Sequence, residues 1–290
     1  KMKNSYFTEN KNQQIDKFMT GVFWLIGILT VGFLILLTGY IIYQGIKGFY
    51  PELLSSNSSG ILNQLFNTLY LVFLSLLISV PIGTGAGIYL AEYAKAGKFR
   101  DFLEISIETL SSLPSIVVGL FGYLVFILMT GMKWNLFAGA LAVSILSIPL
   151  VTTETHNALK NLPQGYLEGS FALGATKSQT IREVLLPAAF HQIMTGIIMV
   201  AGRGFGEAAA LLYTAGQSTN INWTNWNIVS PTCPLNPFRP GETLALHIWV
   251  MRTEGSLNPN AAQIANFSSM ILVIMTFVFS LLARKIAVKK

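Results

Sequence analysis

Charged residues divide the chain into a few long apolar stretches. Residues 18–46 carry no charge, and neither do 53–91, 109–132, 134–153, 184–202 and 255–283. A helix that crosses the hydrocarbon core needs about 20 mostly apolar residues, and each run holds one such segment. The second run opens on the polar stretch Ser55-Ser56-Asn57-Ser58-Ser59-Gly60, which moves its helix start to near Leu65. The fifth is interrupted by Arg203 and Glu207 but stays apolar to Thr214. The pattern therefore predicts an all-α integral membrane protein with six spanning helices, at 18–46, 65–91, 109–132, 134–158, 187–214 and 263–284. The remainder is a tail 1–17, an outer loop 47–64, an inner loop 159–187, an outer loop 215–262 and a tail 285–290. The last five helices make one core, 65–284.

Composition agrees with that pattern. Of the 290 residues 52% are hydrophobic and 11% charged, against roughly 25% charged in an average soluble domain. The mean hydropathy of +0.55 excludes both an ordinary soluble globule and a disordered chain. The net charge of +6 raises the question of nucleic acid, but position answers it. The tail 1–17, the loop 92–108, the loop 154–183 and the C-terminal tail hold 14 of the 19 basic residues. That bias predicts a multi-pass protein with both termini in the cytoplasm. The positive charge is topological, and no nucleic-acid partner is expected. The first span follows a polar tail and lacks a small-residue cleavage site after a short apolar core, so it reads as a retained signal anchor.

Several metal, redox and nucleotide chemistries lack their residue patterns in this chain. One cysteine, Cys233, rules out an intrachain disulfide and a cysteine-based zinc or iron–sulfur site. His156, His191 and His247 are too far apart in sequence to suggest metal ligands. There is no G-x-x-x-x-G-K-[ST] loop, and the clusters Gly83/Gly85/Gly87 and Gly202/Gly204/Gly206 sit inside spans, without the strand–turn–helix setting of a nucleotide site. Small residues there let neighbouring backbones approach. The chain is expected to hydrolyse no ATP and to hold no cofactor or metal of its own.

The inner loop carries the most specific signal. Leu162 to Pro187 reads LPQGYLEGSFALGATKSQTIREVLLP, with Tyr166, Leu167, Phe171 and Leu173 set among Glu168, Lys177, Arg182 and Glu183. Such alternation suits docking to another protein, or a helix lying on lipid headgroups. Its spacing resembles that of the permease subunits of bacterial ABC importers, E-A-A, three residues, G, nine residues, I-x-L-P. Glu168, Gly169, Ser170, Gly174, Leu186 and Pro187 occupy those positions, with Ala175 after the glycine. The departures are Gly169 and Ser170 for the two alanines and Val184 for isoleucine. The resemblance implies two short helices bent at Gly174, docked in a cleft of an ATPase subunit, with Glu168 capping the joint and Pro187 opening the fifth span. The segments 81–94, 113–126, 206–216 and 236–249 resemble one subgroup, the phosphate-importer permeases of the PstA type.

Arg203 and Glu207 are the second anomaly. Four residues apart, they share one face of a continuous helix. From Pro187 they lie roughly 24 and 30 Å along it. A charge near the bilayer centre costs about 2.5–3.5 kcal/mol on insertion scales, so the pair must face protein or a water-filled path. Either it is a structural ion pair, or Arg203 offers its planar fork of donors to a tetrahedral oxyanion while Glu207 holds it. The resemblance favours the second. Ser111, Ser112 and Ser115 flank Pro114 and are candidates to line the path at a kink. Glu92 reads as a solvated or locally capping charge. Trp223, Trp226 and Trp249 read as headgroup anchors, and Arg239 and Glu242 as contacts for an extracellular binding protein.

The resemblance implies a type I ABC importer permease of the MetI-like fold, in the bacterial inner membrane. It implies a second homologous permease, two ATP-binding cassette subunits that hold ATP and Mg, and an extracytoplasmic phosphate-binding protein. The expected function is a non-catalytic subunit of a phosphate importer. The alternatives are a permease for sulfate, molybdate or phosphonate, and a proton-coupled secondary transporter working through Glu207. The latter predicts inverted repeats with broken helices, which the sequence does not display. A membrane scaffold or sensor would need only structural charges.

Overall fold

The computed structural model describes residues 2–55, 60–217, 220–255 and 258–288. The expected polar stretch at 56–59 and the ends of both expected tails, residue 1 and residues 289–290, lie outside the described residues. Among the described residues all regular structure is helical. In chain order the elements are α1 (Met2–Lys47), a 3-10 turn (Pro51–Leu54), α2 (Leu62–Ile88), α3 (Lys98–Ser112), α4 (Ser115–Gly122), α5 (Leu136–Lys160), α6 (Gly165–Ala172), α7 (Lys177–Gln179), α8 (Leu186–Phe205), α9 (Ala209–Thr214), α10 (Leu244–Thr253) and α11 (Ala261–Val288). Three helices are extended by wide π turns: α2 by Tyr89–Tyr93, α4 by Tyr123–Leu128, and α7 by Thr180–Leu185, which runs on into α8.

The centre is the pair α2 and α5, packed along their length. Small residues make this possible. A Cβ added at Gly83 would lie 2.7 Å from Val151 Cβ, and one at Gly87 2.6 Å from Thr155 Cβ. Buried Ser75, Ser79, Ser144 and Ser147 fill the same seam. Ser144 donates to its own helix at Ala140 O (2.6 Å) and lies 3.1 Å from Ser75 O on α2. A hydroxyl that bonds backbone inside an apolar bundle leaves no unpaired donor in oil. Helix α8 lies between α5 and α11, and α4 lies against α9. In contrast, α1 is exposed along its apolar span and meets the rest near its C-terminal end, on α11.

Among the described residues five helices are long and apolar enough to cross a membrane, and six crossings result if α3 and α4 are taken together. They are not one straight helix, which corrects the expectation at 109–132. The chain bends by 97° between α3 and α4. Pro114 has no N–H and forces the residue before it out of helical geometry, and Leu113 is accordingly extended (φ −65°, ψ 132°). Helix α3 buries none of its residues and carries Lys98, Arg100, Asp101, Glu104 and Glu108. The expected fifth span also differs at both ends. Its helix starts ten residues before Pro187, at Lys177, and stops at Phe205. The expected loop 215–262 contains α10, capped by the Thr243 side chain accepting from Leu246 N.

Candidate coupling loop and charged site

Two helices meet at the α6 end through a bend at Gly174. Gly174 has φ +82°, a left-handed conformation that glycine adopts without the Cβ penalty. Its N–H donates to Phe171 O and that of Ala175 to Ser170 O, closing the last turn of α6. On the far side Thr176 and Gln179 form a reciprocal capping box that starts α7. The Ser170 and Thr180 hydroxyls, both buried, lie 2.9 Å apart and tie α6 to the π turn. The expectation of two short helices is therefore half right. α6 is short, but its partner continues unbroken through the π turn into α8.

The two faces of the bend differ. Inward, Leu167 packs with Ile181, Leu185 and Leu159, beside Ile88 and Ala91 at the end of α2. Outward stand Tyr166, Phe171 and Leu173, the last 91% exposed, with Glu168 and Gly169. Glu168 does not cap the joint as expected. Its carboxylate bonds nothing among the described residues, and Ser170, Thr176 and Thr180 do the capping. Ala175 and Leu186 are half-buried and Pro187 is exposed on the first turn of α8. The departures from the two alanines are accounted for: Gly169 faces open space, and the Ser170 hydroxyl bonds across the bend.

Arg203 and Glu207 do not share a helix face. α8 is capped at Gly206, and Glu207 lies in the break before α9. They form no ion pair among the described residues. Instead the Glu207 carboxylate accepts from Ala210 N (3.1 Å), at the start of α9. Arg203 sits on the last turn of α8. The opposite side of that turn is buried, with Gly204 against Val72 and Phe205 edge-on to Phe279 at 4.9 Å. Arg203 is exposed, and a Cβ added at Gly202 beside it would meet nothing within 4 Å. The guanidinium thus projects from the open face of this chain.

The three serines are divided by the bend at Pro114. Ser112 Oγ donates to Thr109 O (2.8 Å), which occupies it locally, while Ser115 is half-buried in the first turn of α4. Ser111 lines a cleft of about 460 Å³ together with Glu104, Glu108, Thr153, Glu154 and His156. Three carboxylates on one cleft disfavour a resting anion, and Arg203 is not among its lining residues.

A buried polar cluster at the α10 end escaped sequence reasoning. Arg239 and Glu242 were expected to meet an outside partner, yet they are 1% and 3% exposed. Arg239 donates to Asn67 Oδ1 (2.6 Å) and to the carbonyls of Pro234 and Pro240. Desolvation pushes its pKa down to about 10, which still leaves it cationic at neutral pH. Glu242 Oε2 pairs with His247 Nδ1 at 2.8 Å and receives Gln64 Nε2 at 3.3 Å. Asn67 Nδ2 donates to Glu242 O, and Leu244 N to Thr68 Oγ1. The cluster fastens the segment before α10 to the first turns of α2. The signal was Gln64, Asn67 and Thr68, polar residues clustered in the first turns of a predominantly apolar helix.

Comparisons with known proteins agree with the fold. Residues 83–287 match the family described as binding-protein-dependent transport system inner membrane component. A probable ABC transporter permease, YqgI of Bacillus subtilis, is 45% identical over 276 residues, covering 93% of this chain and 94% of that one. Phosphate transport system permease protein PstA 2 of Mycobacterium bovis is 33% identical over 219 residues, covering 76% and 68%. Among solved structures, an inward-facing MetNI methionine ABC transporter has a chain that matches with a TM-score of 0.58 at 18% identity, covering 82% of this chain and 98% of that one. That likeness carries the fold, and the sequence matches carry the family. The chain belongs to the binding-protein-dependent transport system inner membrane components, the permease subunits of ABC importers.

Proposed function

We propose that this chain is one of two permeases in an ATP-driven phosphate importer and that Arg203 meets the anion. The observation that carries the reading is the placement of Arg203 on an open face, beside glycines and opposite a packed face. A cation left against lipid costs several kcal/mol. A second homologous permease covering this face, with a hydrated path between the two, removes that cost. Phosphate, a mono- or dianion, meets the same barrier, and a guanidinium fork matches two of its oxygens. The relative named as a phosphate permease supports phosphate over other anions.

The rest of the machine follows from the bend at Gly174. Tyr166, Phe171 and Leu173 are apolar and outward, as a docking knob for an ATPase subunit requires. ATP and Mg reside on that partner. Its closure moves α6, and because α7 continues into α8 the motion reaches Arg203 without crossing a loop. An extracytoplasmic binding protein delivers phosphate at the α10 end, and both termini lie on the ATPase side. The acidic cleft at Glu104, Glu108 and Glu154 gives the anion no second resting place.

Reconstitution tests this. The chain, its sister permease, the ATPase and the binding protein, in proteoliposomes with ATP, take up labelled phosphate in preference to sulfate. ATP-independent uptake, or preferential uptake of sulfate, contradicts the reading.

A further inference from the structure

Lys177, the first residue of α7, stands three residues beyond the bend at Gly174. Its side chain does not extend into solvent along the loop. It crosses to the end of α2, where the ammonium donates to the backbone carbonyl of Glu92 and lies 4.8 Å from the centroid of the Tyr93 ring. Glu92 and Tyr93 close the π turn Tyr89–Tyr93, whose last bond runs from Ala94 N to Tyr89 O. Two attractions converge there. The carbonyl end of a helix carries partial negative charge, and an aromatic face attracts a cation.

The position of this contact matters more than its strength. On one side Lys177 begins the unbroken helical run to Phe205, which bears Arg203. On the other it grips α2, which packs along α5 at the centre of the bundle. Both partners are π turns or lead straight into one, at 89–93 and 180–185. Such turns have fewer optimal backbone bonds and recur where helices must adjust. Below the contact Ile88 and Ala91 rest against Leu167, Ile181 and Leu185, a slippery apolar surface with no directional bond. The Lys177 contact supplies the direction.

We infer that Lys177 is a positioning residue for ATP-driven transport, which couples α2 to the bend so that motion imposed on α6 moves α2 together with α8. This rests on the proposed function. Lys177→Met keeps the apolar stem and removes the cation, whereas Lys177→Arg keeps a cation and donors. In the reconstituted complex Lys177→Met should co-purify with the ATPase and hydrolyse ATP normally. Its phosphate uptake per ATP should fall about tenfold, the scale of losing one charge-assisted contact, and Lys177→Arg should recover most of it. An unchanged uptake-to-ATP ratio in Lys177→Met, or an equal defect in both variants, overturns the inference. Should Lys177→Met fail to assemble, Tyr93→Leu decides. A lowered ratio there supports the coupling, and an unaltered one overturns it. If the wild-type chain captures no ATPase, the proposed function fails instead. The tie is then read on the isolated chain by hydrogen exchange at residues 89–94, which Lys177→Met must accelerate; equal exchange overturns it.

Discussion

Ser170 and Thr180 face each other across the bend at Gly174 with their hydroxyl oxygens 2.9 Å apart. One lies on α6, the other on the π turn leading into α8, and both are buried. The bend is thereby closed from inside by a polar bond, while its outer side leaves Tyr166, Phe171 and Leu173 exposed. The coupling role proposed for this loop needs this division: a stiff joint and a free contact surface.

The glycines of this bend are predicted to differ in tolerance. Gly169 and Gly174 both face open space, but Gly174 alone of the two has a positive φ. Gly169→Ala should leave thermal stability within about 0.5 kcal/mol. Gly174→Ala should cost about 1–2 kcal/mol locally and lower ATPase co-purification while membrane insertion stays intact. The reason is backbone conformation and not crowding. Equal capture of the ATPase by both variants contradicts the assignment of the bend.

The α2–α5 seam gives a second contrast. Gly87 has no room for a side chain, while a Cβ added at Gly85 would meet nothing within 4 Å. Gly87→Val should destabilise the purified chain by about 1–3 kcal/mol or more through overpacking, visible as a lowered unfolding midpoint in detergent. Gly85→Ala should not shift the midpoint measurably.

Arg239 is predicted to act on stability and not on docking. Arg239→Met leaves Asn67 Oδ1 and the carbonyl of Pro234 without their donor in a buried site, at about 1–3 kcal/mol for each unpaired group. Proteolysis of the 220–243 segment should accelerate. Affinity for a binding protein, measured before any unfolding, should stay near wild type. A pure affinity loss with wild-type proteolysis would return Arg239 to the surface role first expected for it.

Much of this architecture was legible in the spacing of charges, because membrane crossings demand long charge-free runs and the bilayer enforces few alternatives. What sequence could not show were the places where one run contains two elements. Thr109 to Met132 is charge-free, yet its first residues belong to amphipathic α3 and the rest follow a 97° bend. Pro114 was visible, but a proline inside an apolar run marks a kink or a break with equal ease. The four-residue spacing of Arg203 and Glu207 assumed an unbroken helix, and Gly206 ends it. Arg239 was unreadable for another reason. Its acceptor, Asn67, lies 172 positions away, and local pattern carries no information about such pairs. The bend at Gly174 follows from the spacing of the resembling pattern, but its physical basis, a left-handed backbone at an uncrowded site, shows only in the structure.

Arg203→Lys and Arg203→Gln separate charge from geometry. If the planar fork matters, Lys retains part of the phosphate uptake, while Gln falls by about 100-fold, as for loss of a charged hydrogen bond of 2–3 kcal/mol. Labelled uptake at equal complex density checks this. Identical rates in all three remove Arg203 from the path.

The most direct test asks what surrounds position 203 in the assembled transporter. Cys233 is fully buried, so background thiol labelling is low. In an Arg203→Cys complex in membranes, a charged, water-soluble thiol reagent should modify the new cysteine. Modification by lipid-soluble reagents alone would place that face in oil and contradict the account.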